Sequence, residues 1–207
     1  MRDLETRQNF KKSSNSLSQV VEYDATLGKD LSLPAVFQQA GPWISLTENI
    51  VQSAQTELDK GNAKSVGEDL YLCSKVCKER SELLETVFNY VANAEAAARR
   101  KKYAEVLALD KERAVELLLG GIVKAIVDTI KSGSLVASDT QKADLEDALK
   151  KLSAMAANTP EGGGGFNFYG VGDMITNLGS GKINVGKDHA TLYVGDNVNV
   201  GVESSKK

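Results

Sequence analysis

The residues with the clearest potential for chemistry are two cysteines and one histidine. Cys73 and Cys77 are four residues apart, and on a helix this spacing could present two thiolates to one metal ion. A closed zinc site takes four ligands, however, and the chain has no second cysteine pair and a single histidine, His189. Both cysteines fall among apolar residues, where a free cysteine behaves as a small hydrophobic side chain. We therefore expect the pair to pack in the core and to bind no metal.

His189 stands in a predicted hairpin turn, a position that is usually exposed to solvent. Histidine is the side chain best suited to acid–base chemistry near neutral pH. No serine or cysteine in a recognisable nucleophile motif accompanies it, so no convergent set of acid, base and nucleophile can be assembled. The sequence predicts a protein that is not an enzyme, with no cofactor and no evident small-molecule substrate.

Two glycine-rich segments are candidates for phosphate-binding loops. Residues 170–173, Gly-Val-Gly-Asp, resemble the start of a dinucleotide-binding fingerprint, but the third glycine is missing at the required spacing. The four glycines at 162–165 follow a predicted helix instead of a strand, and the Gly-Lys-Ser/Thr ending of a phosphate loop is absent. Neither segment predicts nucleotide binding.

Composition and charge narrow the class of protein. The chain has 207 residues, of which 42% are hydrophobic, so it can bury a substantial core. Its formal net charge is −3 and its pI is about 5.4, whereas nucleic-acid binding usually needs a strong basic excess to neutralise phosphates. We therefore expect no nucleic-acid partner.

The first ten residues are polar and of mixed charge, which differs from the apolar core of a secretory signal. No stretch approaches the roughly 20 uncharged residues that a membrane-spanning helix needs. The sequence predicts synthesis in the cytoplasm without a signal peptide. Incorporation into a particle, or export by a dedicated machine that reads no cleaved signal, is compatible with this prediction.

The pattern along the chain divides it into four parts. Residues 1–33 are weakly patterned and rich in Ser, Asn and Lys, so we expect an extended arm with room for one short helix. Residues 34–160 show helical periodicity in four segments, which predicts a bundle. Residues 161–165 form a glycine linker. Residues 166–207 switch to a period of two, which predicts a β appendage. The predicted fold is mainly α, a bundle of about four helices with a small C-terminal β segment, antiparallel or intertwined.

The helical segments carry start and stop signals. We expect helices from Pro42 to Lys60, from the Ser65–Glu68 capping box to about residue 98, from Asp110 to Lys131, and from the Ser138–Gln141 capping box to just before Pro160. In the second of these, residues at alternating steps of four and three form a coiled-coil-like seam. The seam consists of Cys73, Cys77, Arg80, Leu84, Val87, Val91, Ala94 and Ala98.

The third predicted helix is apolar around most of its circumference. This composition is typical of a central helix in a soluble bundle and also of a helix that enters membranes, and we favour the first interpretation. Lys124 and Asp128 are spaced to pair along the helix, which would leave one polar stripe facing water. The residues that carry either role are Leu118, Ile122, Ile126 and Ile130.

A basic run, Arg99-Arg100-Lys101-Lys102, could contact a phosphate or an anionic membrane. It is flanked by Glu95 and Glu105 and falls at the predicted junction between two helices. Because cations are favoured near the C-terminus of a helix, we interpret the run as a solvated helix end.

The β appendage has strands with one apolar face, separated by glycine-containing turns. Exposed apolar strands need a partner, so we expect this face to form an interface. Its apolar residues are Phe166, Phe168, Ile183, Val185, Leu192, Val194, Val198 and Val200.

The stretches Ile183-Asn-Val-Gly-Lys-Asp, Leu192-Tyr-Val-Gly-Asp-Asn and Val198-Asn-Val-Gly form a degenerate repeat. About 25 residues of it resemble the Val-Gly-Asp/Asn repeats in the trimeric β-helices of phage and contractile-injection spike proteins. The resemblance implies intertwined trimerisation through the C-terminus. The repeat departs from that pattern in its uneven spacing and in the long helical part before it. A β-meander folded back onto the bundle is the alternative.

From these patterns we expect a non-enzymatic structural or accessory protein that acts through protein–protein contacts and self-associates through its β segment. A part of a phage or an injection machine is one concrete setting. The expected partners are further copies of the chain, another protein, or both. The alternative function is a membrane-active helical protein, such as a component of a helical pore-forming toxin, and a membrane partner is therefore possible in principle but disfavoured.

Overall fold

The computed structural model describes residues 2–60, 66–158, 174–177 and 183–186, the last two ranges by their backbone. The described residues are mainly helical, as the sequence predicts. The α-helices are α1 Arg2–Leu27, α2 Ala35–Asp59, α3 Glu68–Ala92, α4 Arg99–Leu109, α5 Val115–Lys131 and α6 Asp139–Asn158. Short 3₁₀ turns at Ala96–Ala98 and Lys111–Arg113 lead into α4 and α5.

Helix α1 stands where the sequence predicts an extended arm over residues 1–33. Its buried face mixes a few large apolar side chains, including Phe10 and Leu17, with small polar ones such as Ser13. The apolar periodicity is diluted by these small polar residues, and for this reason the segment does not resemble an amphipathic helix. Packing against α2 and α3 stabilises it.

Helix α2 begins at Ala35, seven residues before the start that the sequence predicts. Pro34 is its N-cap residue, and Pro42 lies inside the helix. Proline lacks an N–H group and is best tolerated in the first turn. Pro42 is the eighth residue of α2, so its missing N–H removes one backbone hydrogen bond of the helix, which nevertheless continues to Asp59.

The long helix predicted to continue to residue 98 ends at Ala92 instead. A 3₁₀ turn and helix α4 follow it as separate elements, and α4 packs against α3. Tyr103 of α4 meets Phe37 of α2 edge to face, with ring centroids 4.9 Å apart, and Phe37 also contacts Phe88 of α3 at 5.1 Å. These three rings connect α2, α3 and α4.

Helix α6 has the boundaries that its local signals predict, and α5 ends at Lys131 as predicted. The predicted start of α5 at Asp110 is wrong: Asp110 caps the 3₁₀ turn Lys111–Arg113, and α5 begins at Val115. Gly133 adopts a φ of 77°, a left-handed conformation that ends α5 and that glycine adopts without strain. The Ser138–Gln141 capping box is present: Gln141 N donates to Ser138 Oγ at 3.2 Å, and Ser138 N donates to Gln141 Oε1 at 2.9 Å. The predicted capping box before α3 includes Ser65, which lies outside the described residues.

The helices form a closed ring in the order α1, α3, α5, α2. Helix α6 covers α5 and α2, and α4 lies beside α3. Because α3 is covered by α1 on one side and by α5 on another, its seam is deeply buried. Leu84, Val87 and Val91 are at most 1% exposed, as the predicted register requires. Ala94, which the sequence places on the same seam, lies beyond the end of α3.

Two strands, β1 Met174–Asn177 and β2 Ile183–Gly186, pair antiparallel. Their register places Ile175 opposite Val185 and Asn177 opposite Ile183. The rest of the predicted β appendage and the predicted glycine linker lie outside the described residues.

Truncation of Leu84 should destabilise the bundle strongly. The side chain is fully buried between helices, so Leu84→Ala leaves a cavity and should lower the free energy of unfolding by about 2–5 kcal/mol. Urea denaturation followed by circular dichroism measures this change. The matched control is Leu4→Ala, since Leu4 of α1 is 63% exposed and its truncation should change the free energy by less than about 0.5 kcal/mol. Equal effects of the two substitutions would contradict the packing described here.

Candidate functional site

The apolar residues singled out on α5 lie in the bundle core. Leu118, Ile122 and Ile126 are at most 2% exposed, and Ile130 is partly buried and packs against the same core. Helix α5 contacts α2, α3 and α6, which accounts for its apolar circumference. These side chains reach solvent or lipid only if α5 separates from its neighbours.

Lys124 and Asp128 form the predicted pair along α5, with Lys124 Nζ 3.2 Å from Asp128 Oδ2. Both side chains are partly exposed, so the pair marks the side of α5 that faces water. Of the helices in the described ranges, none combines the length and the apolar character needed to cross a membrane.

Arg80 makes a polar contact inside the otherwise apolar contact of α3 with α5. Its Nη1 donates to the carbonyl oxygen of Leu117 at 2.9 Å. The guanidinium lies directly against Gly121, where a Cβ atom would come within 2.6 Å of three guanidinium atoms. Gly121 thus provides the space for Arg80. The sequence contained both signals, a charged residue on an apolar seam and a glycine pair in an apolar helix, but periodicity alone did not connect them.

The two cysteines are free thiols in the core, as the sequence predicts. Their Sγ atoms are 3.8 Å apart, which is a van der Waals or weak hydrogen-bond contact. This contact with Cys73 and complete burial raise the pKa of Cys77 well above its ordinary value, so its thiol stays protonated. Among the described residues, no group of three or more His, Cys, Asp or Glu side chains is placed to hold a metal ion.

The basic run lies at the start of α4, which corrects the expectation that it ends a helix. Arg99 pairs with Asp30 at 3.1 Å, and both side chains are mostly buried. Hydrogen bonds from Ser32, together with Arg99, hold the pKa of the Asp30 carboxyl below its usual range. Lys102 donates to Tyr90 Oη and to Glu105 Oε2.

The other two cations of the run, Arg100 and Lys101, are exposed. Cations in the first turn of a helix oppose the helix dipole, and no acidic residue stands in the first turn of α4. In this run, Arg99 and Lys102 therefore join α4 to its neighbours, whereas Arg100 and Lys101 face solvent.

A buried polar seam joins α1 to α3, and sequence analysis missed it. Asn9 Nδ2 donates to Ser74 Oγ at 3.1 Å, and Ser74 Oγ donates to the carbonyl oxygen of Tyr71 at 2.7 Å. Ser13 Oγ donates to the carbonyl oxygen of Asn9. Because these buried polar groups satisfy one another, the two helices approach closely without a wide apolar stripe.

Asp24 near the end of α1 lies in an unfavourable setting for a carboxylate. Its Oδ2 lies against the backbone of Gly41 in α2, where any Cβ atom would collide with it. Its Oδ1 is buried and has no hydrogen-bond partner within the described part of the chain. Burial raises the pKa of Asp24 above its ordinary value of 3.8.

The predicted interface residues Phe166, Phe168, Leu192, Val194, Val198 and Val200 lie outside the described residues, as does His189. Ile183 and Val185 lie in β2, each opposite a residue of β1. Whether these residues form an interface stays a prediction.

The ring of four long helices, with its continuous core and its partly exposed basic helix, defines the class as a helical-bundle domain. Residues 11–128, more than half of the chain, match the model of the SesA family, which is described as an N-terminal domain on NACHT NTPases and P-loop NTPases. The chain belongs to this family. The match spans α1 from its third turn onward through most of α5.

No curated protein and no solved structure matches the chain significantly.

A side chain at position 121 should displace Arg80. Gly121→Ala should lower the free energy of unfolding by about 1 kcal/mol, because the guanidinium must leave the Leu117 carbonyl oxygen while remaining partly buried. Urea denaturation of the variant measures the change.

The control is the same substitution in an Arg80→Ala background. There the clash is absent, and Ala should stabilise α5 by up to about 1 kcal/mol through its helix propensity. The two effects should therefore differ in sign, which a double-mutant cycle shows as coupling. Equal effects in both backgrounds would contradict the contact.

Replacement of Asp24 by Asn should stabilise the protein at neutral pH. Since the pKa of Asp24 is higher in the folded state than in the unfolded state, the folded protein binds the proton more tightly. The stability contributed by this side chain therefore falls as pH rises above 3.8. Asp24→Asn imitates the protonated form, so its advantage should be present at pH 7 and disappear below pH 3.8.

Thermal denaturation at both pH values measures this difference. Asp144→Asn on the exposed side of α6 is the control and should change stability little at either pH. Loss of stability in Asp24→Asn at pH 7 would show that the carboxylate has a favourable partner, contrary to our description.

Proposed function

We propose that this chain is a non-catalytic regulatory module that acts through protein–protein contacts and self-associates through residues 166–207. The observation that carries the proposal is the match of residues 11–128 to a family described as an N-terminal domain on NACHT and P-loop NTPases. A domain attached to different kinds of NTPase contributes something other than the NTPase chemistry itself. Contact with another protein is the contribution that a closed helical bundle is suited to make.

The partner class that this proposal implies is an NTPase of the NACHT or P-loop type. The glycine-rich segments at residues 162–165 and 170–173 lack a phosphate-loop pattern, so these segments do not form the nucleotide-binding site of such an NTPase. The exposed cations Arg100 and Lys101 at the start of α4, and Leu109 at its end, which is 88% exposed, support a partner with an acidic and partly apolar surface.

The proposal of self-association is supported by the residues of the C-terminal segment. β1 and β2 have four residues each, and an isolated two-stranded hairpin is marginally stable in water. The one-faced pattern of residues 166–207 adds apolar surface that another copy can cover. Repeats resembling those of trimeric β-helices agree with such an association, although a particle setting is not required by it.

Membrane action is the alternative function, and it has less support. To meet lipid, α5 would have to leave α2, α3 and α6 and carry the Lys124–Asp128 pair with it. Charged side chains are costly in hydrocarbon, by several kcal/mol each, and pairing offsets only part of that cost.

A chain truncated after Pro160 should remain helical and lose self-association. We expect full-length protein to be oligomeric in light scattering at micromolar concentration and the truncated chain to be monomeric, because residues 166–207 supply the interface. Circular dichroism and slow labelling of the buried Cys73 and Cys77 by thiol reagents show that the truncated bundle is intact.

A matched control keeps the length of the chain and replaces the apolar residues Ile183, Val185, Val198 and Val200 by Ser. This variant should behave as the truncated chain does. A monomeric full-length protein would overturn the proposed self-association.

Release of dye from loaded liposomes by the full-length protein, abolished by Ile122→Asp in a variant that still folds, would favour the membrane-active alternative.

A further inference from the structure

The outward side of α4 differs from an ordinary solvated helix face. Tyr103 and Val106 turn inward and are buried, whereas the residues on the other side of the helix are exposed. A solvated face usually mixes charges of both signs, but this one combines two cations with alanines and one large apolar side chain. Its exposed residues are Arg100, Lys101, Ala104, Ala108 and Leu109.

The positive charge of this side is not offset by α4 itself. The acidic residue of the helix, Glu105, is already engaged, because Tyr90 Oη and Lys102 Nζ both lie 2.9 Å from its Oε2. Within the described part of the chain, neither Arg100 nor Lys101 forms an ion pair. Both cations also lie in the first turn, where they oppose the helix dipole. An anion placed beside them would therefore be stabilising.

The loop between α1 and α2 extends this side beyond the start of α4. Because Arg99 Nη1 lies 3.1 Å from Asp30 Oδ2, the residues next to Asp30 lie at that end of the helix. Lys29 is exposed, and Leu31 is 86% exposed. The combined surface, which we name the α4 surface, consists of Lys29, Leu31, Arg100, Lys101 and Leu109. It has cations along its course and an exposed leucine toward each end, and its helical part is about 16 Å long.

The α4 surface is held in place by contacts on its inner side. Tyr103 packs edge to face on Phe37, and its Oη accepts from the amide of Val115 at 3.2 Å. The amide and the hydroxyl of Ser32 both donate to Asp30 Oδ1, which fixes the loop that carries Leu31. A partner would therefore meet a helix and a loop that are already ordered, which lowers the entropic cost of binding.

We propose that the α4 surface binds an acidic segment of a partner protein. The carboxylates of the segment meet Arg100 and Lys101, and apolar side chains on either side of these carboxylates cover Leu31 and Leu109. This inference rests on the proposed function and names the chemistry of the partner segment. Charge complementarity selects an acidic segment and disfavours a basic one. Burial of two leucines that are now almost fully exposed supplies apolar contact area.

A narrow segment fits the α4 surface better than a flat anionic membrane does. Glu95 and Glu112 are exposed just before and just after α4. A membrane contact covers a wide area and would bring these two carboxylates against anionic lipid headgroups, which repel them. A single segment that follows the outward side of α4 contacts the cations without covering both carboxylates.

The test measures binding of a defined peptide to the full-length protein. The probe is a fluorescein-labelled peptide in which leucines flank a run of glutamates, and the matched peptide has glutamine in place of each glutamate. Fluorescence anisotropy should give a Kd in the micromolar range for the acidic peptide and a markedly weaker one for the glutamine peptide. Added salt should weaken binding of the acidic peptide, since the cations and its carboxylates are solvent-exposed.

Variants of the full-length protein locate the contact. Arg100→Glu combined with Lys101→Glu should raise the Kd at least about tenfold, and Leu109→Ser should raise it several-fold. The charge-reversal variant should fold, because glutamate is favoured in the first turn of a helix, and circular dichroism verifies this.

Matched controls use exposed residues of α1. Lys11→Glu combined with Lys12→Glu makes the same change in net charge, and Leu4→Ser makes the same apolar truncation. Both should change the Kd by less than about twofold, because they lie outside the α4 surface.

Three results would overturn the proposal. The first is an acidic peptide that does not bind. The second is equal weakening by the two charge-reversal variants, which indicates nonspecific attraction. The third is binding of the protein to vesicles of phosphatidylserine and phosphatidylcholine, lost on reversal of Arg100 and Lys101, without binding of the peptide; this would assign the surface to a membrane. Light scattering of the same variants distinguishes this inference from the proposed self-association, which should be unchanged by them.

Discussion

The two-sided burial of α3 is the constraint on which the rest of the bundle depends. Helix α3 is enclosed by α1 and α5, so its two contact faces pack against neighbours of different polarity. On the face toward α1, the neighbouring helix carries Ser and Asn side chains, and Ser74 of α3 forms a hydrogen bond with one of them. The neighbour on the other face, α5, is almost wholly apolar. Helix α3 packs its seam of apolar residues and one charged side chain, Arg80, against it.

Two polar side chains of α3, Ser74 and Arg80, bond to groups on the neighbouring helices. Ser74 accepts from Asn9 and donates to its own helix, so burial costs it little. Arg80 donates to a carbonyl oxygen of α5 and lies against a glycine, which keeps the guanidinium close to the backbone. Asp24 differs, because its Oδ1 is buried without a hydrogen-bond partner in the described residues. We therefore regard α3 as the stable centre of the ring and the contact of α1 with α2 near Asp24 as a place where the ring is under electrostatic stress.

The sequence was sufficient for the helices whose signals are local. The capping box at Ser138, the termination of α5 at Gly133 and the apolar circumference of α5 can all be read from neighbouring residues. Helix α1 could not be predicted in the same way, because half of its buried face is Ser, Thr and Asn, whose burial depends on partners distant in sequence. The end of α3 was missed for a related reason. The new start at Arg99 is fixed by Asp30, a residue 69 positions away.

The interaction surfaces were less predictable than the fold, since an apolar helix has the same composition whether it faces a core, a partner or lipid. Burial decides between these uses, and burial is a property of the ring as a whole. α5 is enclosed by α2 and α3 within the residues that define the family, and α6 closes the remaining side from outside them. A helix with its own cap, its own ion pairs and a single apolar stripe adds stability to this side while contributing little that the ring requires for closure. Such a helix covers α5 without setting the order of the ring, because the contacts that close the ring are made by α1, α2, α3 and α5.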